Sequence, residues 1–310
     1  MSKNGLPRKP LTKRRLKNLI LNVLKNPFNM VVLVSLIILF CLIIIPLLTM
    51  ISSTFTLAQG ELRRVQGHVG DFTLYYWKYI LTGKLASAVL WGPLKNSFIC
   101  GFFTVLVSVP LGSVLAWLMI RTDLPGKKIL GLLVTVPYMI PSWTKALAWL
   151  AMFRNSTSGA NGFLAGLGIP VPDWLAYGPI AIVLCMSMHY YAFSYIMVSG
   201  ALRSINSELE EMGEIQGASK AQILRHITLP LILPSVLSAT VMTISKSIGT
   251  YGVAANLGNR IGYYTLATKM RVFIEQGPQG VGYAMSLVLV GLAAIILFSN
   301  QKAVGGRKSY

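Results

Sequence analysis

The chain has 310 residues, 54% of them hydrophobic and only 12% charged, roughly half the charged share of an ordinary soluble domain. That balance excludes a single water-soluble core and points to an all-α, polytopic membrane protein. The net charge of +19 would suggest nucleic acid in a soluble protein; here it reads as basic loops that orient the chain in a bilayer, and no nucleic-acid partner is expected.

Residues 1–30 are basic, and Leu16, Ile20, Val23 and Leu24 are spaced to share one helical face. This predicts an amphipathic segment on the inner membrane surface. No small-residue cleavage site follows, so the apolar run 31–51 reads as a retained first span rather than a secretory signal. Residues 52–95 are mixed in charge and form an external segment, whose aromatic piece from Asp71 to Leu81 is expected at headgroup depth. The region 96–300 holds five further spans. The second is 96–120, followed by the polar turn Arg121–Lys128 with Pro125-Gly126. The third is 129–153, interrupted by Pro137, Pro141 and Lys145. An external Gly-rich loop, 154–176, leads to a fourth span at 177–200. A charged loop, 201–230, precedes a fifth span at 231–250. An external segment, 251–280, precedes a sixth at 281–299, and a basic tail, 301–310, follows.

On this layout 17 of the 28 basic residues lie on the cytoplasmic side, which places both termini and the 201–230 loop in the cytoplasm of a bacterial-type inner membrane. Cys41, Cys100 and Cys185 each sit inside an apolar run, with no metal-ligand spacing, and read as small hydrophobes. No metal or cofactor site is expected on the chain.

The charged loop contains acids at Glu208, Glu210, Glu211 and Glu214, then Gly217-Ala218-Ser219, a basic half with Lys220 and Arg225, and Leu229-Pro230. This predicts two short helices meeting at Gly217, with Pro230 forcing a break or reset before the next span. The stretch resembles the EAA loop of binding-protein-dependent ABC importer permeases. Glu211, Gly217, Leu229 and Pro230 stand at the family spacing, and Ala218 and Ser219 match the common Gly-Ala-Ser. Met212 and Gly213 replace the two alanines. Pro93–Phe98, the Arg121–Gly126 turn and Val136–Leu150 are similar to the iron(III), polyamine and organic-ion branch of these permeases.

The resemblance implies a type I importer permease whose loop docks on a cytosolic ATPase through Glu211, Gly217, Ala218, Ser219, Leu229 and Pro230. It further implies a second permease subunit, identical or different, and an external substrate-binding protein. The chain has no G-x-x-x-x-G-K-[ST], no His pair and no G-x-S-x-G, so it is not expected to be an enzyme; ATP and Mg belong on the partner ATPase. A channel or secondary transporter is the alternative class, and inverted repeats or a paired intramembrane acid, which would mark it, are not found. A membrane-anchored scaffold or enzyme is disfavoured by the lack of a soluble domain.

Two charges fall inside predicted spans, Lys145 and Lys246, at sites where a lysine costs about 2.5–3.5 kcal/mol on insertion scales. Either they snorkel outward or they line the path. In the second case they favour a small anion or an anion-coordinated ferric complex (phosphonate, sugar phosphate or iron(III)) over a polyamine; a sugar is a further alternative. Tyr138, Trp143, Tyr190, Tyr191, Tyr195 and Tyr251 are the aromatic candidates for that path.

Overall fold

A computed structural model describes residues 27–62, 65–156 and 159–305, so the amphipathic helix expected before residue 27 and the end of the basic tail lie outside the described residues. The chain divides into two units, Met1–Ser53 and Thr54–Tyr310. The described part of the first is one helix, α1 (Pro27–Ser53), with no buried residue and a mean hydropathy of 3.4 over its most apolar 18 residues. Its 27 residues span about 40 Å, enough to cross a bilayer.

The second unit begins with a short antiparallel bridge between Thr56 and Phe72. Phe55 stacks on Phe72 there, their rings 6.0 Å apart. Helix α2 (Tyr75–Leu81) follows. Sequence places this aromatic piece at headgroup depth, yet Tyr76 and Ile80 are fully buried in protein. Gly280, at the start of the last helix, lets the Tyr76 ring in: an added Cβ would stand 2.5 Å from two ring carbons.

Helix α3 (Ser87–Arg121) opens with a wide turn and runs as one apolar rod. Helices α4 (Lys127–Met139) and α5 (Ser142–Phe153) come next. The sequence reading of 129–153 as one span is corrected here. Ile140 is extended, because the ring of Pro141 disfavours helical geometry in the residue before it. The short α6 (Phe163–Gly166) and α7 (Asp173–Ala176) lead to α8 (Pro179–Ser204). Then come α9 (Glu208–Ile215), α10 (Lys220–Ile248), α11 (Gly252–Gly258), α12 (Leu266–Gln276) and α13 (Gln279–Gly305). Among the described residues five helical stretches are long and apolar enough to cross a membrane, and the broken α4–α5 pair falls on the third predicted span.

The bundle is organised on α8, which buries twelve residues and packs most extensively on α3. The contact face of α3 is a seam of small residues: Gly101, Thr104, Ser108, Gly112 and Ala116 are all buried. Where lipid replaces water outside, helix association comes from close packing rather than hydrophobicity, and small residues allow it. Around this seam, Ala146, Ile182, Met186, Val253 and Leu257 form one core cluster, and Tyr195, Val198, Leu202 and Ile232 another.

Candidate functional site

The loop between α8 and α10 builds itself from local chemistry. Asn206 accepts from the Glu208 amide at 3.2 Å, and its own amide donates to the Glu208 carboxylate at 2.8 Å. Glu208, Glu210 and Glu211 fill the first turn of α9, where the helix dipole favours anions. The helix stops at Gly217, whose φ of +83° only glycine adopts cheaply. The Ala218 amide then donates to the Gly213 carbonyl at 3.0 Å. Ser219 caps α10 in a reciprocal box with Gln222. The two-helix expectation centred on Gly217 is met.

At Pro230 the expected break or reset takes the form of a reset. A wide turn, Leu224–Thr228, leads into the span, so the helix runs unbroken from Lys220 to Ile248. Pro230 falls in the first turn of regular helix beyond it, where its missing N–H and its ring are accommodated by the widened turn.

The acid that ties the loop to the bundle is Glu210, not Glu211. One Glu210 oxygen lies 3.0 Å from Arg121 Nε, and the other accepts from the Thr228 hydroxyl at 2.7 Å. Arg121 also donates to the carbonyls of Leu202 and Ile205, at 3.1 and 3.4 Å, closing the end of α8. Both charged side chains are more than four-fifths buried. A single guanidinium therefore joins α3, α8, α9 and, through Glu210, the start of α10. Glu211 is exposed, with no ion-pair partner among the described residues, as are Gly217, Ser219, Leu229 and Pro230; Ala218 is half-buried. Gly213, which replaces a family alanine, has a packing reason. A Cβ there would come within 3.1 Å of Ile227 and 3.2 Å of Ile223. The Arg121–Glu210 pair crosses most of a hundred residues, so no local spacing announces it.

A second cluster lies where α4 breaks into α5. Pro141 has no N–H to offer the Pro137 carbonyl, and the helical ladder of α4 ends there. The Lys145 ammonium donates to His189 Nδ1. Tyr138 stacks on His189 with centroids 5.4 Å apart, and its hydroxyl accepts from Lys246 at 3.1 Å. Lys246 also sits over the Phe193 ring, 4.4 Å from its centroid. Tyr190, edge-on to His189, bonds Thr250 at 2.8 Å. None of the nine acids of the chain lies on α4, α5, α8 or α10.

The structure thus brings together Lys145, Lys246, Tyr138 and Tyr190, leaves Trp143 exposed on α5, and adds His189 and Phe193. The i, i+4 spacing of His189 and Phe193 on one helix face was the available signal for the added pair. The other three tyrosines stand apart. Tyr191 lies about 200° around α8 from His189 and turns its carbonyl toward Gly112. Tyr195 is buried with Ala116 and Val198. Tyr251 is exposed at the start of α11.

A bundle of apolar helices with a clamped polar loop at one end and a broken helix on its side is the build of a polytopic membrane protein. The chain belongs to the binding-protein-dependent transport system inner membrane component family, whose profile matches residues 108–308. It is thus a multi-pass inner-membrane protein, the permease subunit of an ABC importer, and not an enzyme. Among its relatives, a probable sulfate transport system permease of Marchantia polymorpha is 25% identical, the match covering 72% of this chain and 75% of that protein. The molybdenum transport system permease ModB of Escherichia coli K12 is also 25% identical, over 67% of this chain and 89% of its own. These relatives carry sulfate and molybdenum in their names, and the expected placement in the iron(III) and polyamine branch is corrected accordingly. The same fold is found in a bacterial ABC transporter for alginate, with TM-score 0.67, 18% identity and coverage of 94% of this chain and 99% of that one. It recurs in the MetNI methionine transporter, with TM-score 0.54, 22% identity and coverage of 72% and 95%.

Proposed function

We propose that the chain forms, with a second permease subunit, the path for a small oxyanion of the sulfate or molybdate kind, delivered by an external binding protein. The carrying observation is the cluster of Lys145, Lys246, His189 and Tyr138, cationic and rich in donors, set at a helix break on four helices that hold no acid. Irregular backbone at membrane depth persists where it lines a cavity. The names of the sulfate and molybdenum relatives favour the same chemistry. An anion-coordinated ferric complex is the less favoured cargo.

Uptake of radiolabelled sulfate and molybdate by cells carrying the complete transporter tests this. Replacing Lys145 and Lys246 together with Met is expected to cut oxyanion uptake at least roughly tenfold, as loss of charge-assisted contacts to the anion requires. ATPase assembly is expected to persist. Unchanged uptake with both lysines gone removes the cluster from the path.

The loop would face the cytoplasm, with both termini on that side, and α9 would seat in a groove of a separate ATPase carrying ATP and Mg. Exposed Glu211 is available for that contact, with Gly217, Ala218 and Ser219 shaping the turn and Leu229 and Pro230 leading into the span. Arg121, Lys127, Lys128, Arg203, Lys220 and Arg225 crowd this end of the bundle, which supports the orientation. Ser219→Cys is expected to resist an impermeant thiol reagent in intact cells and to react in inverted vesicles; labelling from outside would reverse the topology.

A further inference from the structure

A separate cavity of about 670 Å³ opens beside the loop end of the bundle, between α4 and α8. Lys127 and Lys128 stand at the start of α4 and Arg203 in the last turn of α8, and all three line it together with Thr135, Tyr195 and Ser199. No acid lines it. Lys127 has one carboxylate near, Asp123 at 3.8 Å, whose side chain is fully exposed and therefore screened. Lys128 and Arg203 pair with no carboxylate among the described residues. The Ser199 hydroxyl is buried and has no partner among those residues. The Arg121–Glu210 clamp does not reach into this space, nor do Lys145 and Lys246.

Three cations lining one cavity with only the exposed Asp123 near as counter-charge repel one another, and apolar walls such as Met119, Ile120 and Ile196 raise the local field. The charge is relieved by an anion bound between them. The volume exceeds that of a bare ion and lies in the range of small-molecule sites. We infer that this cavity binds an oxyanion group of phosphate type, either free in solution or as the headgroup of an anionic lipid. It is distinct from the lysine cluster proposed for transport.

The test uses the full-length permease with its ATPase in nanodiscs, without ATP, so its failure leaves the transport reading standing. One preparation contains phosphatidylcholine alone and is probed with radiolabelled inorganic phosphate. The other adds phosphatidylglycerol, and retained lipid is read by native mass spectrometry. Two variants are compared with the parent. Lys127→Gln/Lys128→Gln/Arg203→Gln removes the charge. Gly131→Leu keeps the charge and fills the cavity, since a Cβ at Gly131 meets only ordinary contacts, 3.4 Å from Met119 and 3.8 Å from Tyr195.

Phosphate bound by the parent and held roughly tenfold or more weaker by both variants identifies a free-oxyanion site. Phosphatidylglycerol retained by the parent and lost from both variants identifies a headgroup site. Should the triple variant fail to fold, Gly131→Leu decides alone. The inference is overturned if the parent binds neither probe, or if Gly131→Leu binds both as the parent does.

Discussion

Arg121→Glu is expected to abolish ATP-coupled uptake, and Arg121→Glu/Glu210→Arg to restore part of it. The wild-type guanidinium holds the Glu210 carboxylate at 3.0 Å and the carbonyls of Leu202 and Ile205. Removing one partner of a mostly buried pair strands the other charge, at a cost of about 3 kcal/mol. Reversal adds repulsion between two acids. The charge-swapped protein regains the pair but loses the donors to Leu202 and Ile205, so rescue is partial. Two measurements separate positioning from simple stability: ATP hydrolysis by the reconstituted complex, and uptake by the same complex. Loss of the clamp with the fold intact leaves hydrolysis running while uptake falls. If Arg121→Glu transports at the wild-type rate, the clamp has no mechanical role.

Gly112→Leu is expected to prevent assembly of the bundle, and even Gly112→Ala to destabilise it by about 3 kcal/mol, the upper end for overpacking. A Cβ at Gly112 would overlap the Tyr191 carbonyl oxygen and stand 2.7 Å from the Tyr195 nitrogen and 2.8 Å from Ser194 Cβ. Two of those are backbone atoms, which cannot step aside without parting α3 from α8. Gly291→Ala in α13 is the control. Nothing lies within 4 Å of its Cβ position, so it is expected to be neutral or to stabilise by up to about 1 kcal/mol. Size-exclusion profiles of detergent-solubilised protein after graded heating check both. A Gly112→Ala profile matching the control would contradict the close crossing.

The spans were legible because hydropathy and charge-free length report lipid exposure directly, as in α1, α3 and α13. The two-helix loop was legible because Gly217 and Ser219 act locally. Three features were not. Pro141 could be seen as an interruption, but whether an interrupted span bends or breaks depends on how the two pieces pack on other helices, not on local sequence. Pro230 read as a break or reset from its local rule, and only the fold shows that the widened turn at Leu224–Thr228 makes it a reset. Glu210 and Glu211 are adjacent and chemically identical. Only the fold turns one toward Arg121 and leaves the other exposed. Likewise, Tyr190 meets the lysine cluster while Tyr191 and Tyr195 do not, because these positions on α8 face different neighbours.

The continuity of α10 turns it into a lever. Its loop end carries Lys220 beside the Gly217 turn, and Lys246 lies about 39 Å along the axis at 1.5 Å per residue. A tilt of about 5° around the loop end sweeps Lys246 sideways by roughly 3 Å on that arm length. That equals the whole 3.1 Å reach of its hydrogen bond to Tyr138. A displacement too small to disturb the helix packing at one end is thus sufficient, by geometry alone, to make or break the ammonium contact at the other.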